Sequence, residues 1–283
     1  MYSPMLSFCI SIDGNKELHD KCRVDFNNQG SYDRAISAVR HYREHYSSKM
    51  NSKMTLAPDN VEYTYDAVVN LINEEYDEIL LNCVYEKGWT WKHANILYNQ
   101  LIKLSDYIIN NDLYDKVYIS MFDEDNFVPM PESDNENWCG GVNNKMLAIS
   151  PAGELFDCIR YMKSSLGDNQ EPLKLGSVDE GFLTKKIYQD RNETMSNITR
   201  RSQSTDECFY CPVAKGCAWC SALNYEETGS VNKRLTHICV MHKARAYANY
   251  YYWNKLYDKL NINKVFINYL SEEDINNIIT GGE

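Results

Sequence analysis

Cysteine thiolates are the natural ligands of soft and borderline metals, and this chain concentrates them. Seven of its ten cysteines (Cys139, Cys158, Cys208, Cys211, Cys217, Cys220 and Cys239) form one spaced array. The array reads C-x13-G-x4-C, a gap of 49 residues, C-x2-C-x5-C-x2-C, a gap of 18 residues, then C. Four thiolates hold one metal centre, so seven serve two centres only if one keeps an open or borrowed ligand. Cys208, Cys211 and Cys217 supply three corners of an iron–sulfur cubane. Cys239 stands at the expected start of a helix, where the dipole favours thiolate charge, and is placed to close it. Cys139, Cys158 and Cys220 are left for a second centre. Zinc is the alternative: the two C-x2-C pairs make a four-thiolate set, but the x5 between them is shorter than the usual zinc-ribbon loop. Zinc also leaves Cys139, Cys158 and Cys239 without a role, and free thiols are the third option. His237 and His242 flank Cys239 as substitute ligands or as surface and structural histidines. Cys9, Cys22 and Cys83 have no ligand spacing and read as small buried residues.

Composition bounds the setting of this chemistry. A chain of 283 residues, 43% hydrophobic, has room for a core and for one or two domains. No apolar run reaches the length of a membrane span, and the opening MYSPMLSFCISIDG lacks the basic n-region of a signal peptide. The cysteines are therefore expected in the reducing cytoplasm, where clustered C-x2-C spacing means metal rather than disulfides. The net charge of −11 argues against a nucleic-acid face and suits a basic partner peptide. Many of the 22 tyrosines fall near the C-terminus, where they are expected to cover an amphipathic helix.

The elements that must position these residues alternate in the first half. Strands are expected at Met5–Ile12, Lys53–Ala57, Glu78–Tyr85 and Lys116–Phe122. Helices are expected from Ser31 to about Tyr46, with Ala35, Ile36, Ala38 and Val39 inward, from Glu62 to Glu75 and from Lys92 to Asn110. Such alternation means βαβ units on a parallel sheet. The acidic stretch Asp123–Asn137, with Pro129 and Pro131, is the expected linker. Beyond it, Lys145–Ser150 and Glu154–Ile159 flank Pro151-Ala152-Gly153 as a β-hairpin with Cys158 on its return strand. Asp206–Asn224 reads as a loop carrying four cysteines, and Val240–Leu260 as a helix.

Seven cysteines and Gly153 together resemble the SPASM domain found at the C-terminus of radical S-adenosylmethionine (SAM) enzymes that modify peptides. The family pattern is C-x9–15-G-x4-C, C-x2-C-x5-C-x3-C, C, and this chain departs from it once, with x2 between Cys217 and Cys220. The resemblance implies two auxiliary [4Fe–4S] clusters: an outer one on Cys208, Cys211, Cys217 and Cys239, and an inner one on Cys139, Cys158 and Cys220. No further cysteine lies between Cys139 and Cys158. The inner cluster is thus expected to leave an iron open to a substrate thiolate, with a shifted loop or a water ligand as alternatives.

Upstream, Ser11-Ile12-Asp13-Gly14, His19-Asp20 and Arg23 resemble the "SIDG…HD…R" segment after the fourth barrel strand of the same enzymes, beside the S-adenosylmethionine pocket. By that likeness Ser11, Asp13 and Arg23 bind the cofactor; read alone, the segment is an ordinary βα turn. Cys158-Ile159-Arg160-Tyr161, Gly216-Cys217-Ala218-Trp219-Cys220 and Ile238-Cys239-Val240-Met241-His242-Lys243 resemble the radical SAM peptide maturases of the CXXX-repeat target class. What this likeness implies is an α/β fold with part of a radical SAM (β/α) barrel over 1–125, a SPASM domain with hairpin and C-terminal helix over 138–260, and a tail over 261–283. It further implies post-translational modification of a ribosomally made, cysteine-containing precursor peptide, with thioether formation, and an electron donor or acceptor protein as partner. The C-x3-C-x2-C motif of the initiating cluster does not occur in these 283 residues. The expectation is therefore a truncated or split product that does not generate the 5′-deoxyadenosyl radical by itself and needs a separate N-terminal half. The rivals are a non-catalytic cluster-bearing peptide-binding module and a sulfatase-maturing, formylglycine-forming relative.

Overall fold

The computed structural model describes residues 10–46, 50–137, 139, 141, 145–182, 190 and 193–283. Most of the expected strand at Met5–Ile12, and Cys9 with it, lies outside the described residues. The chain divides into two compact units: residues up to Asn126 together with Ile238–Glu283, and Phe127–His237.

The first unit is α/β. Strands β1 (Ile10–Ser11), β2 (Asn51–Leu56), β3 (Glu78–Cys83) and β4 (Tyr118–Ile119) form a sheet in the order β1-β2-β3-β4. Every pair is parallel, with Ser11 opposite Lys53, Lys53 opposite Leu80 and Glu78 opposite Tyr118. The order is sequential, without the reversal of a doubly wound sheet. Between the strands run α1 (Lys16–Cys22), α2 (Tyr32–His45), α3 (Thr64–Asn73) and α4 (Trp91–Asn110). The strand residues alternate. Ser52, Met54 and Leu56 on β2, and Ile79, Leu81 and Cys83 on β3, are buried. Helix α4 meets them with Ala94, Leu97, Leu101, Leu104 and Ile108, a three-and-four spacing that keeps one apolar stripe facing inward. On α2 only Tyr32, Ile36 and Val39 are buried; Ala35 is half-buried and Ala38 exposed, because the inward stripe is narrower than the four expected apolar positions.

Two helices return to this unit from the C-terminus. Helix α9 (Cys239–Leu260) contributes Met241, Ala244, Ala248, Tyr252 and Leu256 to the same core as α4. This differs from the expected 138–260 grouping, because the apolar side of α9 has its partners in the first unit. Its tyrosines are packing groups: Tyr247 stacks on Tyr98 at 4.9 Å and Tyr252 on Phe122 at 4.3 Å. Helix α10 (Glu272–Thr280) falls in the stretch the sequence left unassigned. Ser271 caps its start, and Asn95 of α4 donates to the carbonyls of Ile278 and Ile279 at its end (2.9 and 2.7 Å), where intrahelical partners run out. No helix among the described residues is long and apolar enough to cross a membrane.

The second unit carries a small antiparallel sheet in the order β5 (Ala148–Ile149), β6 (Glu154–Phe156), β7 (Gly176–Ser177), β8 (Gly181–Phe182). The β5–β6 hairpin closes with Gly153 donating to the Ser150 carbonyl at 2.9 Å. Gly153 has φ +77°, and a Cβ there would stand 2.8 Å from Val178 Cγ2, so the array's glycine is required by the turn. Cys158 lies just past the return strand, at the cap of a short 3₁₀ turn (Ile159–Tyr161), and not on the strand itself. Short helices α5 (Lys163–Leu166), α6 (Arg200–Gln203), α7 (Asp206–Phe209) and α8 (Ser221–Thr228) complete the described part. The expected linker Asp123–Asn137 is anchored. Phe127 is buried and its N–H donates to the Lys215 carbonyl, the Lys215 N–H donates to that of Val128, and buried Arg200 donates to the carbonyls of Pro131, Asp134 and Phe209 at 2.7–2.8 Å. Three carbonyls on one buried guanidinium leave that stretch little freedom.

Candidate metal centres and cofactor face

The four-cysteine segment is built from successive tight turns. Thr205 Oγ1 accepts the Cys208 N–H, Cys211 N–H donates to the Cys208 carbonyl, Ala214 to that of Cys211, and Cys217 to that of Ala214. Gly216, at φ +75°, lets the chain turn into Cys217. These turns wind Cys208, Cys211 and Cys217 around one locus, close enough that the first two act electrostatically on the third. Burial pushes the Cys217 thiol up, and Arg234 opposes it by donating Nη2 to Sγ at 2.9 Å. Arg234 is itself held by the Ser204 hydroxyl (3.4 Å) and lies 5.7 Å from the Trp219 ring.

Cys220 caps α8, and its sulfur accepts the Leu223 N–H at 3.4 Å. Burial pushes this thiol up too; the backbone donor and Arg160 pull it down, while neighbouring Cys139 pushes it further up. Cys139, Cys158 and Cys220 all pack against one apolar cluster that includes Phe156, Tyr161, Trp219 and Ala222. The Cys139 segment runs close to Cys158: a Cβ on Gly141 would meet Cys158 Cβ at 3.4 Å. Within this unit the six cysteines thus fall into two sets of three. Cys239 opens α9 in the first unit, in the first helical turn. Hydrogen-bond donors directed at sulfur are what an iron-bound thiolate uses, so the donor sets fit iron–sulfur ligation. His242 is buried on α9.

The remaining cysteines separate. Cys83 is buried at the end of β3, its thiol pushed up to about 11 by burial. Cys22 is exposed at the last position of α1, which corrects its reading as a buried residue: the chain leaves α1 there with that side outward.

In the first unit the "SIDG…HD…R" residues form one bonded network at the carboxyl ends of β1 and β2. Asp13, 4% exposed, takes Arg23 Nε (2.5 Å) and Nη2 (3.2 Å) on its two oxygens and the Thr55 N–H at 2.9 Å. Asp13 N–H donates to His19 Nδ1, His19 Nε2 bonds Ser31 Oγ, and Ser31 donates to the Arg23 carbonyl. Asp20 accepts the Tyr32 N–H at the start of α2. Gly14, at φ +89°, has no room for a Cβ, which would stand 2.2 Å from Ala67 Cβ. Ser11 is exposed, with Lys53 opposite it in the parallel register; Thr55 lies opposite Asn82. Ser11, Lys53, Thr55 and Asn82 therefore share the sheet face opposite the buried one. The sequence reading missed Lys53, Thr55 and Asn82. Their signal was the polar alternation inside strands of a parallel sheet, whose residues ordinarily read as continuous apolar runs.

Burial lowers the His19 pKa. Since the folded value then lies below the unfolded one, the unfolded chain binds more protons as pH falls through the ordinary imidazole range, and stability drops. Urea midpoints measured at about pH 7 and about pH 5 should fall with acidity in wild type and fall less in His19→Gln.

No family model and no curated protein matches the sequence. Solved structures do. anSMEcpe with bound AdoMet aligns with a TM-score of 0.59 over 95% of this chain and 68% of its own, at 14% identity. The fold is that of anSMEcpe. Native anSMEcpe with AdoMet and Cp18Cys peptide aligns at TM-score 0.56 and 16% identity, over 90% and 70% of the two chains. The complex of anSMEcpe with AdoMet and Kp18Cys peptide gives 0.55 and 15%, over 89% and 68%. At such identities the likeness to anSMEcpe is one of fold.

The Arg234 contact yields an expected result of its own. Removing a charge-assisted donor to sulfur leaves the oxidised, less negative state of a cluster relatively favoured. If Cys217 ligates a cluster, Arg234→Leu should lower that cluster's reduction potential by on the order of tens of millivolts, with iron content retained. An unchanged potential in redox titration followed by EPR would remove Arg234 from that centre.

Proposed function

We propose that this chain is the cluster-bearing, peptide-binding part of a radical SAM peptide maturase that forms thioether crosslinks in a cysteine-containing precursor peptide. One observation carries the reading: six buried or half-buried cysteines gathered as two sets in a chain whose fold is shared with anSMEcpe, solved with AdoMet and with peptide. Two [4Fe–4S] clusters, one on Cys208, Cys211, Cys217 and Cys239 and one on Cys139, Cys158 and Cys220, supply one-electron acceptance and an iron site for a substrate thiolate.

The chain's own residues do the rest. Arg234 neutralises sulfur charge at Cys217, and the Leu223 N–H does so at Cys220. Asp13 fixes the Arg23 guanidinium, and Ser11 offers its hydroxyl at the carboxyl end of β1, the end of a parallel sheet at which cofactors sit. In this reading Ser11, Asp13 and Arg23 serve the AdoMet site, Asp13 through Arg23. The initiating cluster is held by cysteines outside these 283 residues, and an electron carrier protein serves the auxiliary pair.

A second reading takes anSMEcpe more literally. It is solved with AdoMet and a Cp18Cys or Kp18Cys peptide, which equally suits the sulfatase-maturing alternative, oxidation of a peptide cysteine to formylglycine. Two measurements separate the readings. Anaerobically purified protein should carry near eight irons per chain as two [4Fe–4S] centres by Mössbauer spectroscopy; zinc in their place would overturn both. Complemented with an initiating half and AdoMet, the chain should convert a cysteine-repeat peptide to a product lacking two hydrogens and one free thiol. A product that has lost sulfur and gained an aldehyde selects formylglycine formation instead.

A further inference from the structure

Away from the cysteine array, one cluster among the described residues has the make-up of a metal site. His41, Glu44 and His45 lie on α2 with their ligand atoms all within 4.8 Å of one another. The spacing explains the convergence: residues four apart on a helix stand one above the other, and the third position joins the same side. The two imidazole centroids are 4.2 Å apart, with the rings inclined by 31°. Glu44 Oε2 is 3.7 Å from His45 Nδ1. His45 Nδ1 also lies 2.9 Å from the His41 carbonyl oxygen. A carbonyl only accepts, so this bond fixes the proton on Nδ1 and leaves the Nε2 lone pair free, the arrangement of a metal-binding histidine with an oriented ring.

The surrounding charge does not oppose a cation. Arg40 is drawn to the Glu74 carboxylate at 2.9 Å, and Arg43 to the Glu74 carbonyl and the Tyr76 ring. All three candidate ligands are exposed, so a bound ion keeps water in its remaining positions and little desolvation opposes binding. We infer that His41, Glu44 and His45 form a divalent transition-metal site on the outer face of α2, suited to Zn²⁺ or Ni²⁺ through two imidazoles and one carboxylate. Glu44 acts as a ligand, and the ion staples the last turns of α2 just before the chain enters β2.

The test uses the untagged chain with its clusters in place and Ni²⁺ alone as probe. Calorimetric titration should give wild type one binding equivalent more than His41→Ala/His45→Ala, and untagged wild type alone should be retained on nickel-charged resin. Glu44→Gln should weaken that equivalent by about tenfold. Both substituted histidines are solvent-facing, so the fold is kept, which far-UV circular dichroism checks. Equal stoichiometry and retention for wild type and the double variant overturn the site. None of these substitutions touches a cysteine, so the outcome stands whatever the iron measurements give.

Discussion

Cys239→Ala should leave the purified protein about four irons short per chain. Cys208, Cys211 and Cys217 are wound together by consecutive turns, but all three are only half-buried, and three ligands rarely hold an accessible cubane. In the proposed outer centre Cys239 is the fourth ligand. Cys239 sits in the first turn of α9, where the helix dipole favours a thiolate. Cys22→Ala is the matched control: its thiol is exposed at the end of α1, and iron content should not change. Iron retained in Cys239→Ala would remove this residue from the ligand set and leave α9 as packing alone.

Asp13→Ala should lower unfolding stability by about 3 kcal/mol in urea denaturation while iron content stays at the wild-type level. The carboxylate is almost wholly buried and neutralises a guanidinium by two hydrogen bonds while accepting the Thr55 N–H. Truncation leaves that N–H and the inner side of Arg23 without their acceptor, which costs more than the pair contributes. Arg23 side-chain exposure of 33% keeps the effect at the lower end of that range. AdoMet affinity should fall too if Arg23 serves the cofactor, whereas Ser11→Ala should weaken binding with no change in stability, since Ser11 is exposed. Iron lost from Asp13→Ala would mean that this network supports a cluster and not the cofactor face.

Strand and helix positions in the first half were legible because their periods differ. β3 alternates and α4 repeats at three and four, and both elements emerge within two residues of their expected bounds. Helix α1 was not, because Lys16–Cys22 is short and polar and reads as a turn; Asn15 accepting the Leu18 N–H is what starts it. Helix α10 was legible in principle from Ser271 followed by three acids, a capping and dipole pattern that outweighs its Asn-rich composition.

The candidate sites divide in the same way. The candidate ligand chemistry was legible in composition and spacing: seven cysteines, their intervals, and the glycine that the hairpin turn requires. Spacing also suggested which cysteines are neighbours, because residues two to five apart in a tight-turn segment cannot separate far. The rest came from contacts between distant segments. Arg234 reaches Cys217 from 17 residues away, and Arg160 lies near Cys220 from a different turn. Cys83 and Cys22 have equally uninformative surroundings in sequence, yet one closes a core strand and the other faces solvent. Strand alternation reveals that β2 and β3 have a polar side but not that register lines Ser11 beside Lys53 and Thr55 beside Asn82. Helix α9 follows the cysteine array in sequence, yet its core partners lie on α4, more than a hundred residues upstream. Local periodicity fixes which residues share a face; only packing between distant segments fixes what that face meets, because burial is won wherever complementary apolar surface is found.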